Sequence, residues 1–180
     1  FAMDLLCMSL AEIGNISERR LFALCDTTLN YGLPPNLSGH PIGLNTGYGV
    51  ISCSAASVAS ENKTLCFPAV ADTIPTKSSQ EDHVSMAAWA CRKAHQIVVN
   101  LPKILGIELM LATKAIFLTE ADLGKFVMGE GTMEAYRVMS KAFPLQHDDS
   151  YMPAQTGPCI AIAQNGALLN AVEAKIGKLN

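Results

Sequence analysis

A polar run near the middle of the chain carries the side chains best suited to chemistry. Residues 76–83 read Thr-Lys-Ser-Ser-Gln-Glu-Asp-His. The structural interpretation is a helix start, in which a serine at 78 or 79 is the N-cap and an acid at 81 or 82 completes a capping box. The functional interpretation is a binding site, because a helix N-terminus favours the ionised form of Glu81, which could then anchor a cationic group. The spacing alone leaves both interpretations open.

Other chemical patterns in the chain are weaker. Residues 17–20, Ser-Glu-Arg-Arg, form a dense charge cluster that suits either a solvated helix turn or an ion-pair network buried in an oligomer. The Gly-x-Gly fragments at 47–49 and 129–131 lack the preceding strand of a phosphate-binding loop and predict turns. The histidines and cysteines do not have zinc-ligand spacing, so we expect no metal site.

The composition limits the classes of partner. The 180 residues carry a formal net charge of −3, which argues against a dedicated nucleic-acid or anionic-membrane binder. Hydrophobic residues make up 49% of the chain and charged residues only 16%, against a usual charged fraction of about 25%. We therefore expect large buried interfaces, or a piece of a larger protein. The apolar stretch 97–118 includes charged residues, so it is not a membrane span. Six cysteines without Cys-x-x-Cys spacing favour buried free thiols and a cytoplasmic location.

Helices must position the polar run, because apolar residues recur at helical spacing and alternating strand patterns are nearly absent. We predict an all-α fold of long antiparallel helices forming a bundle with two long loops. Residues 1–180 form one unit without an internal boundary. The loops are 31–47 and 66–79, with a shorter one at 144–150. The first predicted helix covers 3–16 and either continues to 24 or is interrupted at 14–15. Residues 80–118 form either one helix or two helices joined at Pro102 and Gly106. Further helices are predicted at 48–65, 132–143 and 153–178, and another starts at 119 with Thr119 as its cap.

Six short segments resemble, in order and spacing, motifs of the histidine ammonia-lyase family. The resemblance covers about residues 2–95, and from residue 105 onward only the helical character is shared. The segments are 11–20 (Ala-Glu-Ile-Gly-Asn-Ile-Ser-Glu-Arg-Arg), 32–37 (Gly-Leu-Pro-Pro-Asn-Leu), 43–48 (Gly-Leu-Asn-Thr-Gly-Tyr), 59–63 (Ala-Ser-Glu-Asn-Lys), 72–76 (Asp-Thr-Ile-Pro-Thr) and 80–86 (Gln-Glu-Asp-His-Val-Ser-Met).

The resemblance implies a mostly helical homotetramer that removes ammonia from an aromatic amino acid at a site assembled from several subunits. The electrophile of such enzymes is a methylidene-imidazolone ring formed from an internal Ala-Ser-Gly, and no diffusible cofactor is needed. Glu81 would be the active-site carboxylate, which meets the substrate imidazole or assists proton handling, and Gln80 would line the same pocket. Gln-Glu-Asp-His is typical of the histidine-specific branch. Lys77 and Ser79 depart from the commoner Ser and Asn, and this leaves the aromatic substrate open.

The electrophile's precursor is missing from the sequence. No Ala-Ser-Gly occurs, and the nearest tripeptide is the Leu-Ser-Gly at 37–39. The resemblance therefore implies that these residues correspond to the C-terminal third of a complete enzyme, and that the chain is inactive alone. Two alternatives stay open. One is a non-catalytic helical oligomerisation module or pseudoenzyme derived from the family. The other is an aromatic amino acid aminomutase or tyrosine ammonia-lyase relative.

Overall fold

Six α-helices make up most of the part of the chain that the structure describes. The computed structural model describes residues 1–39, 41–124 and 126–179, without the side chains of Asp122 and Leu123. Within those ranges no β-strand longer than an isolated bridge occurs, which confirms the all-α prediction. The helices are α1 (Ala2–Cys25), α2 (Gly49–Thr64), α3 (Ala87–Leu118), α4 (Glu130–Met139), α5 (Met152–Asn165) and α6 (Ala167–Ile176).

Side-chain contacts fix the directions of the central helices. Asp4 at the start of α1 pairs with Lys93, and Ser17 farther along α1 bonds Glu108, so α1 and α3 run parallel. The predicted antiparallel order holds for α2 against α3. Asn62 near the end of α2 bonds Asn100, whereas the ring of Tyr48, the N-cap of α2, lies 5.9 Å from Nζ of Lys114 near the end of α3.

α3 is one continuous helix of 32 residues, about 48 Å long. Of the two predicted alternatives, the single helix is therefore correct, and Pro102 lies inside it. Gly106 has a packing role, because a Cβ at this position would lie 2.7 Å from the Cα of Ile160 on α5. The glycine thus allows the backbones of α3 and α5 to approach closely.

Several predicted helix boundaries are wrong. Thr119 does not cap a new helix, because its hydroxyl donates to the carbonyl of Ala115 (2.8 Å) and the chain continues through the π-helical turn Thr119–Leu123. This back-bonding within a helix is an established alternative for threonine. The predicted helix 153–178 is two helices, since Gly166 adopts a left-handed φ of 72° and ends α5. α4 also begins and ends a few residues earlier than predicted.

The connections place the motif-bearing loops at opposite ends of the bundle. α2 is 16 residues long, or about 24 Å, and it separates the loop 26–48 that precedes it from the loop 65–86 that follows it. The main core lies between α1, α2, α3 and α5 and includes Leu21, Ile104 and Leu111. A smaller cluster of Cys7, Ala94 and Ile97 lies toward the 65–86 loop.

Large apolar side chains remain on the surface. Leu5, Ile13 and Ile16 of α1 are exposed, as are Trp89 and Val98 of α3. This exposed apolar surface agrees with the low charged fraction of the sequence. Among the helices described, none combines the length and the hydropathy that crossing a bilayer requires.

Candidate functional site

The 65–86 loop carries Gln80 and Glu81, and it is not the helix start that the sequence predicts. α3 begins at Ala87, six residues beyond Glu81, and has no side-chain N-cap bond. Ser78 and Ser79 adopt left-handed φ values of 54° and 66°, whereas a serine N-cap typically lies in the β region. The proposed effect of the helix dipole on Glu81 is therefore also wrong, because that effect fades within the first turn.

The tip of this loop is a tight turn closed by backbone hydrogen bonds. The amide of Thr76 donates to the carbonyl of Glu81 (3.0 Å), and the amide of Glu81 donates back to Thr76 (3.3 Å). The amide of Gln80 donates to the carbonyl of Lys77 (3.0 Å). Residues 77–79 all have positive φ without a glycine among them. Such conformations cost energy and persist where the surrounding structure holds them, often at functional sites.

Glu81 is paired within the tip itself. Its Oε1 lies 2.9 Å from Nζ of Lys77, and the Glu81 side chain is 50% exposed. Gln80, Asp82 and His83 are also exposed. The structure thus places Gln80 and Glu81 side by side at an accessible tip. At such a tip the carboxylate can accept hydrogen bonds from a ligand, and the neighbouring carboxamide can both donate and accept them.

Two buried charges that the sequence interpretation missed hold the base of the loop. Asp4 of α1 accepts bonds from the amides of Ala69 (3.1 Å) and Val70 (2.9 Å) and from Nζ of Lys93 (2.9 Å). Lys93 of α3 also donates to the carbonyl of Phe67. The Lys93 bond and the two amides outweigh desolvation and lower the pKa of Asp4 to about 2.

The sequence did contain a signal for this pair. The buried stripe of α1 includes Asp4, Cys7 and Ala11, and that of α3 includes Lys93 and Ala94. Each stripe carries two buried charged residues, Asp4 and Glu18 on α1 and Lys93 and Lys114 on α3. Buried ions require partners, so the spacing indicated buried ion pairs but did not say which acid meets which base.

A cavity lies between the loop and the start of α1. Its volume is about 350 Å³, and its lining includes Asp4, Asp72, His83 and Met86. Both limbs of the loop contribute, one through Asp72 and the other through His83. The loop therefore arches over open space and does not pack flat on the helices.

The second motif-bearing loop is fixed at the far end of the bundle. The carboxylate of Asp149 accepts bonds from the amides of Thr46 (2.6 Å) and Gly47 (3.0 Å), and its own amide donates to Oδ1 of Asn45 (2.8 Å). The hydroxyl of Tyr48 donates to Gln155 (3.0 Å), and burial raises the pKa of Tyr48 to about 12. Since α2 separates the two loops, this chain does not bring the 43–48 motif to Glu81.

The charge cluster at 17–20 is partly solvated and partly an ion-pair network within this chain, and its burial in an oligomer stays a prediction. Ser17 and Glu18 are buried, whereas the guanidinium groups of Arg19 and Arg20 are largely exposed. Arg20 and Ser17 both bond Glu108 of α3, so the cluster ties α1 to α3.

The Leu-Ser-Gly at 37–39 does not suit an exposed reactive group. Ser38 is buried, and a Cβ at Gly39 would lie 1.7 Å from the carbonyl oxygen of His147. A ring formed at this position would be closed off beneath the 144–151 loop.

Comparison with known proteins gives a consistent result. The family model "Aromatic amino acid lyase" matches residues 1–141. A histidine ammonia-lyase from Gloeobacter violaceus is 40% identical over 99% of this chain and 34% of its own length. The crystal structure of histidine ammonia-lyase from Trypanosoma cruzi matches with a TM-score of 0.88 and 35% identity, covering 96% of this chain and 33% of that chain. Tyrosine aminomutase from Streptomyces globisporus matches with a TM-score of 0.89 and 26% identity, covering 97% and 32%.

These matches extend the similarity beyond the motifs to nearly the whole chain. The chain spans about a third of the length of the relatives that it matches.

Proposed function

The chain belongs to the aromatic amino acid lyase family, and on that premise we propose that it forms part of a histidine-type ammonia-lyase. The complete enzyme eliminates ammonia from L-histidine to give urocanate. The observation that carries this proposal is the exposed tip of the 65–86 loop, where Gln80 and Glu81 stand side by side. Similarity to a histidine ammonia-lyase over 99% of the chain supports it.

Glu81 contributes the carboxylate that meets the substrate. In the free enzyme Lys77 contacts Oε1 of Glu81, and an imidazole N–H of histidine displaces Lys77 and donates a hydrogen bond to the carboxylate. Gln80 lines the same pocket, where its carboxamide can donate and accept. The strained turn at 77–79 fixes the direction of both side chains before substrate binds.

The electrophile comes from outside these 180 residues. The sequence has no Ala-Ser-Gly, and the buried Ser38 is not a substitute. We therefore propose that the methylidene-imidazolone ring lies in another portion of the complete enzyme. This chain supplies one wall of the site, through Glu81 and Gln80.

Assembly into a homotetramer would complete the site. The two motif-bearing loops are separated by the length of α2, which supports sites shared between subunits. Exposed apolar side chains on α1 and α3 supply surface for such contacts. We propose that residues 1–180 act as a single unit of this assembly, and that free thiols at all six cysteines suit the cytoplasm.

An aromatic amino acid aminomutase is the second candidate. It stays a candidate because the TM-score of 0.89 to tyrosine aminomutase does not separate it from histidine ammonia-lyase at 0.88. The Gln-Glu-Asp-His run and the higher identity to a histidine ammonia-lyase favour the lyase.

The test is a product assay on the complete enzyme with L-histidine, L-tyrosine and L-phenylalanine, after intact-mass measurement has confirmed the dehydrated ring. The proposal expects urocanate from histidine and little product from the other two substrates. A β-amino acid product would identify an aminomutase, and a cinnamate would identify another aromatic lyase. An enzyme that contains the ring but converts none of the three would indicate a non-catalytic relative.

A further inference from the structure

The ion pair at the base of the 65–86 loop joins more than two helices. Among the described residues, the side chains of Asp4 and Lys93 make four hydrogen bonds, and three of them go to the loop backbone, at Phe67, Ala69 and Val70. Only one bond joins the two charges to each other. Both side chains are almost fully buried, at 3% and 2% exposure. The pair therefore connects α1, α3 and the first limb of the loop at one point.

A second ion pair between α1 and α3 is built differently. Arg20 of α1 meets Glu108 of α3, and Ser17 joins them, through side chains alone. If linking α1 to α3 were the only requirement, side-chain bonds of this kind would serve. Burying a charge is costly unless its hydrogen bonds are satisfied. At Asp4 and Lys93 the backbone of the loop makes most of the hydrogen bonds that these buried charges require.

Further bonds continue from this base to the tip. Beyond Val70, the hydroxyl of Thr73 accepts a bond from the amide of Val84 (2.9 Å) and ties the outgoing limb to the returning limb. The paired amides of Thr76 and Glu81 then close the tip. Residues 71–83 are exposed, and a cavity of about 350 Å³ lies beneath the loop. Since burial contributes little here, the polar anchor at the base decides where the tip stands.

We propose that Asp4 and Lys93 are positioning residues, which hold the 65–86 loop so that Glu81 and Gln80 meet the substrate. The inference rests on the function proposed above for Glu81. Neither Asp4 nor Lys93 touches the substrate, and both act through the backbone of residues 67–70.

Hydrogen exchange of the complete enzyme tests the anchor without using activity. In Asp4→Asn, the amides of residues 69–86 should exchange at least about tenfold faster, because a charged acceptor is replaced by a weaker neutral one. Residues 130–139 of α4 serve as an internal reference. Arg20→Gln is the matched control, since it breaks an α1–α3 ion pair that has no bond to the loop; it should leave exchange in 69–86 unchanged.

A double variant separates positioning from stability. Asp4→Asn with Lys93→Gln removes both charges, so no buried ion is left uncompensated and most of the thermal stability should return. Loop exchange should nevertheless remain fast, and kcat/KM for histidine should remain at least tenfold low, because misplaced groups lose rate steeply. If Asp4 and Lys93 only stabilised the fold, the double variant would recover activity together with stability.

Three results would overturn the proposal. The first is unchanged exchange at 69–86 in Asp4→Asn. The second is equal acceleration throughout α1 and α3, as general destabilisation would produce. The third is full activity in the stable double variant. If Asp4→Asn does not fold, Lys93→Gln and the double variant give the same readouts. Unchanged turnover in Glu81→Gln would refute the role proposed for Glu81. Hydrogen exchange of residues 69–86 would still test whether Asp4 and Lys93 anchor the loop.

Discussion

Replacing Lys77 by serine should make Glu81 a better ligand for substrate. Lys77 binds Oε1 of Glu81 at 2.9 Å, so in the free enzyme it competes with an incoming imidazole for the carboxylate. Serine removes this competitor. It keeps a side chain at a position whose φ is 50°, so the backbone strain of the tip is retained. Under the proposed function, KM for histidine should fall in Lys77→Ser while kcat stays nearly constant.

The exposure of the pair sets the size of this effect. The Lys77 and Glu81 side chains are 68% and 50% exposed, and ion pairs of this kind contribute about 0.2–1 kcal/mol. Since about 1.4 kcal/mol corresponds to a tenfold change in an equilibrium constant, KM should decrease by a factor between about 1.4 and 5. A larger decrease would require a buried pair, which the exposure excludes.

Steady-state kinetics on the complete enzyme measure this directly. Lys141→Ser is the matched control, because it removes the same charge from an exposed position outside the loop. Raising the ionic strength should lower KM slightly in the unmodified enzyme and less in Lys77→Ser, because salt screens the pair only where it exists. An unchanged or higher KM in Lys77→Ser, relative to Lys141→Ser, would refute the competition.

Three further predictions concern the scaffold. Gly106→Ala should lower the free energy of unfolding by about 1–3 kcal/mol in a denaturant titration, because its Cβ would meet the α5 backbone at 2.7 Å. Gly157→Ala should raise the free energy of unfolding by up to about 1 kcal/mol, because its Cβ meets no atom within 4 Å. If both substitutions change the free energy of unfolding in the same direction, this explanation of Gly106 is wrong. The pKa of Asp4 is lowered from 3.8 to about 2, so its stabilising contribution is present above pH 3.8 and is lost as the pH falls through 2. Asp4→Asn should therefore flatten the acid limb of the stability curve, and an identical limb would contradict the assignment. Asp149→Asn should weaken the acceptor for the amides at 46–47 and speed their hydrogen exchange, with no change at 69–86; the reverse pattern would contradict the separation of the two loops.

Helical periodicity was the most reliable guide to the fold. The apolar spacing along α1 and α3 predicts both helices, because burial of one face dominates over local interruptions such as Gly14 and Pro102. Apolar spacing did not predict where α5 ends, because single residues determine that boundary. Asn165 and Gly166 are a recognisable helix stop, since the glycine adopts a left-handed φ and the Asn165 side chain accepts a bond from Ala167 (2.9 Å).

The candidate site shows where local patterns mislead. The serines at 78 and 79 satisfy the composition of an N-cap, yet their positive φ places them in a turn. That turn depends on the pairing of Thr76 with Glu81 and on the anchor at Asp4, and neither is visible in a short window of sequence. The resemblance correctly indicated the family. It could not supply the base of the loop, because Asp4 and Lys93 lie 89 positions apart and meet only through folding.

The most direct test of the central claim is the turnover of Glu81→Gln in the complete enzyme, measured together with its thermal stability. Glu134→Gln is the control, because Glu134 also lies in a local ion pair, with Arg137, away from the loop. We expect kcat/KM for histidine to fall by at least about a hundredfold in Glu81→Gln, with nearly unchanged stability, and to remain normal in Glu134→Gln. A Glu81→Gln enzyme that turns over histidine at the normal rate would contradict the assignment of this loop to the active site.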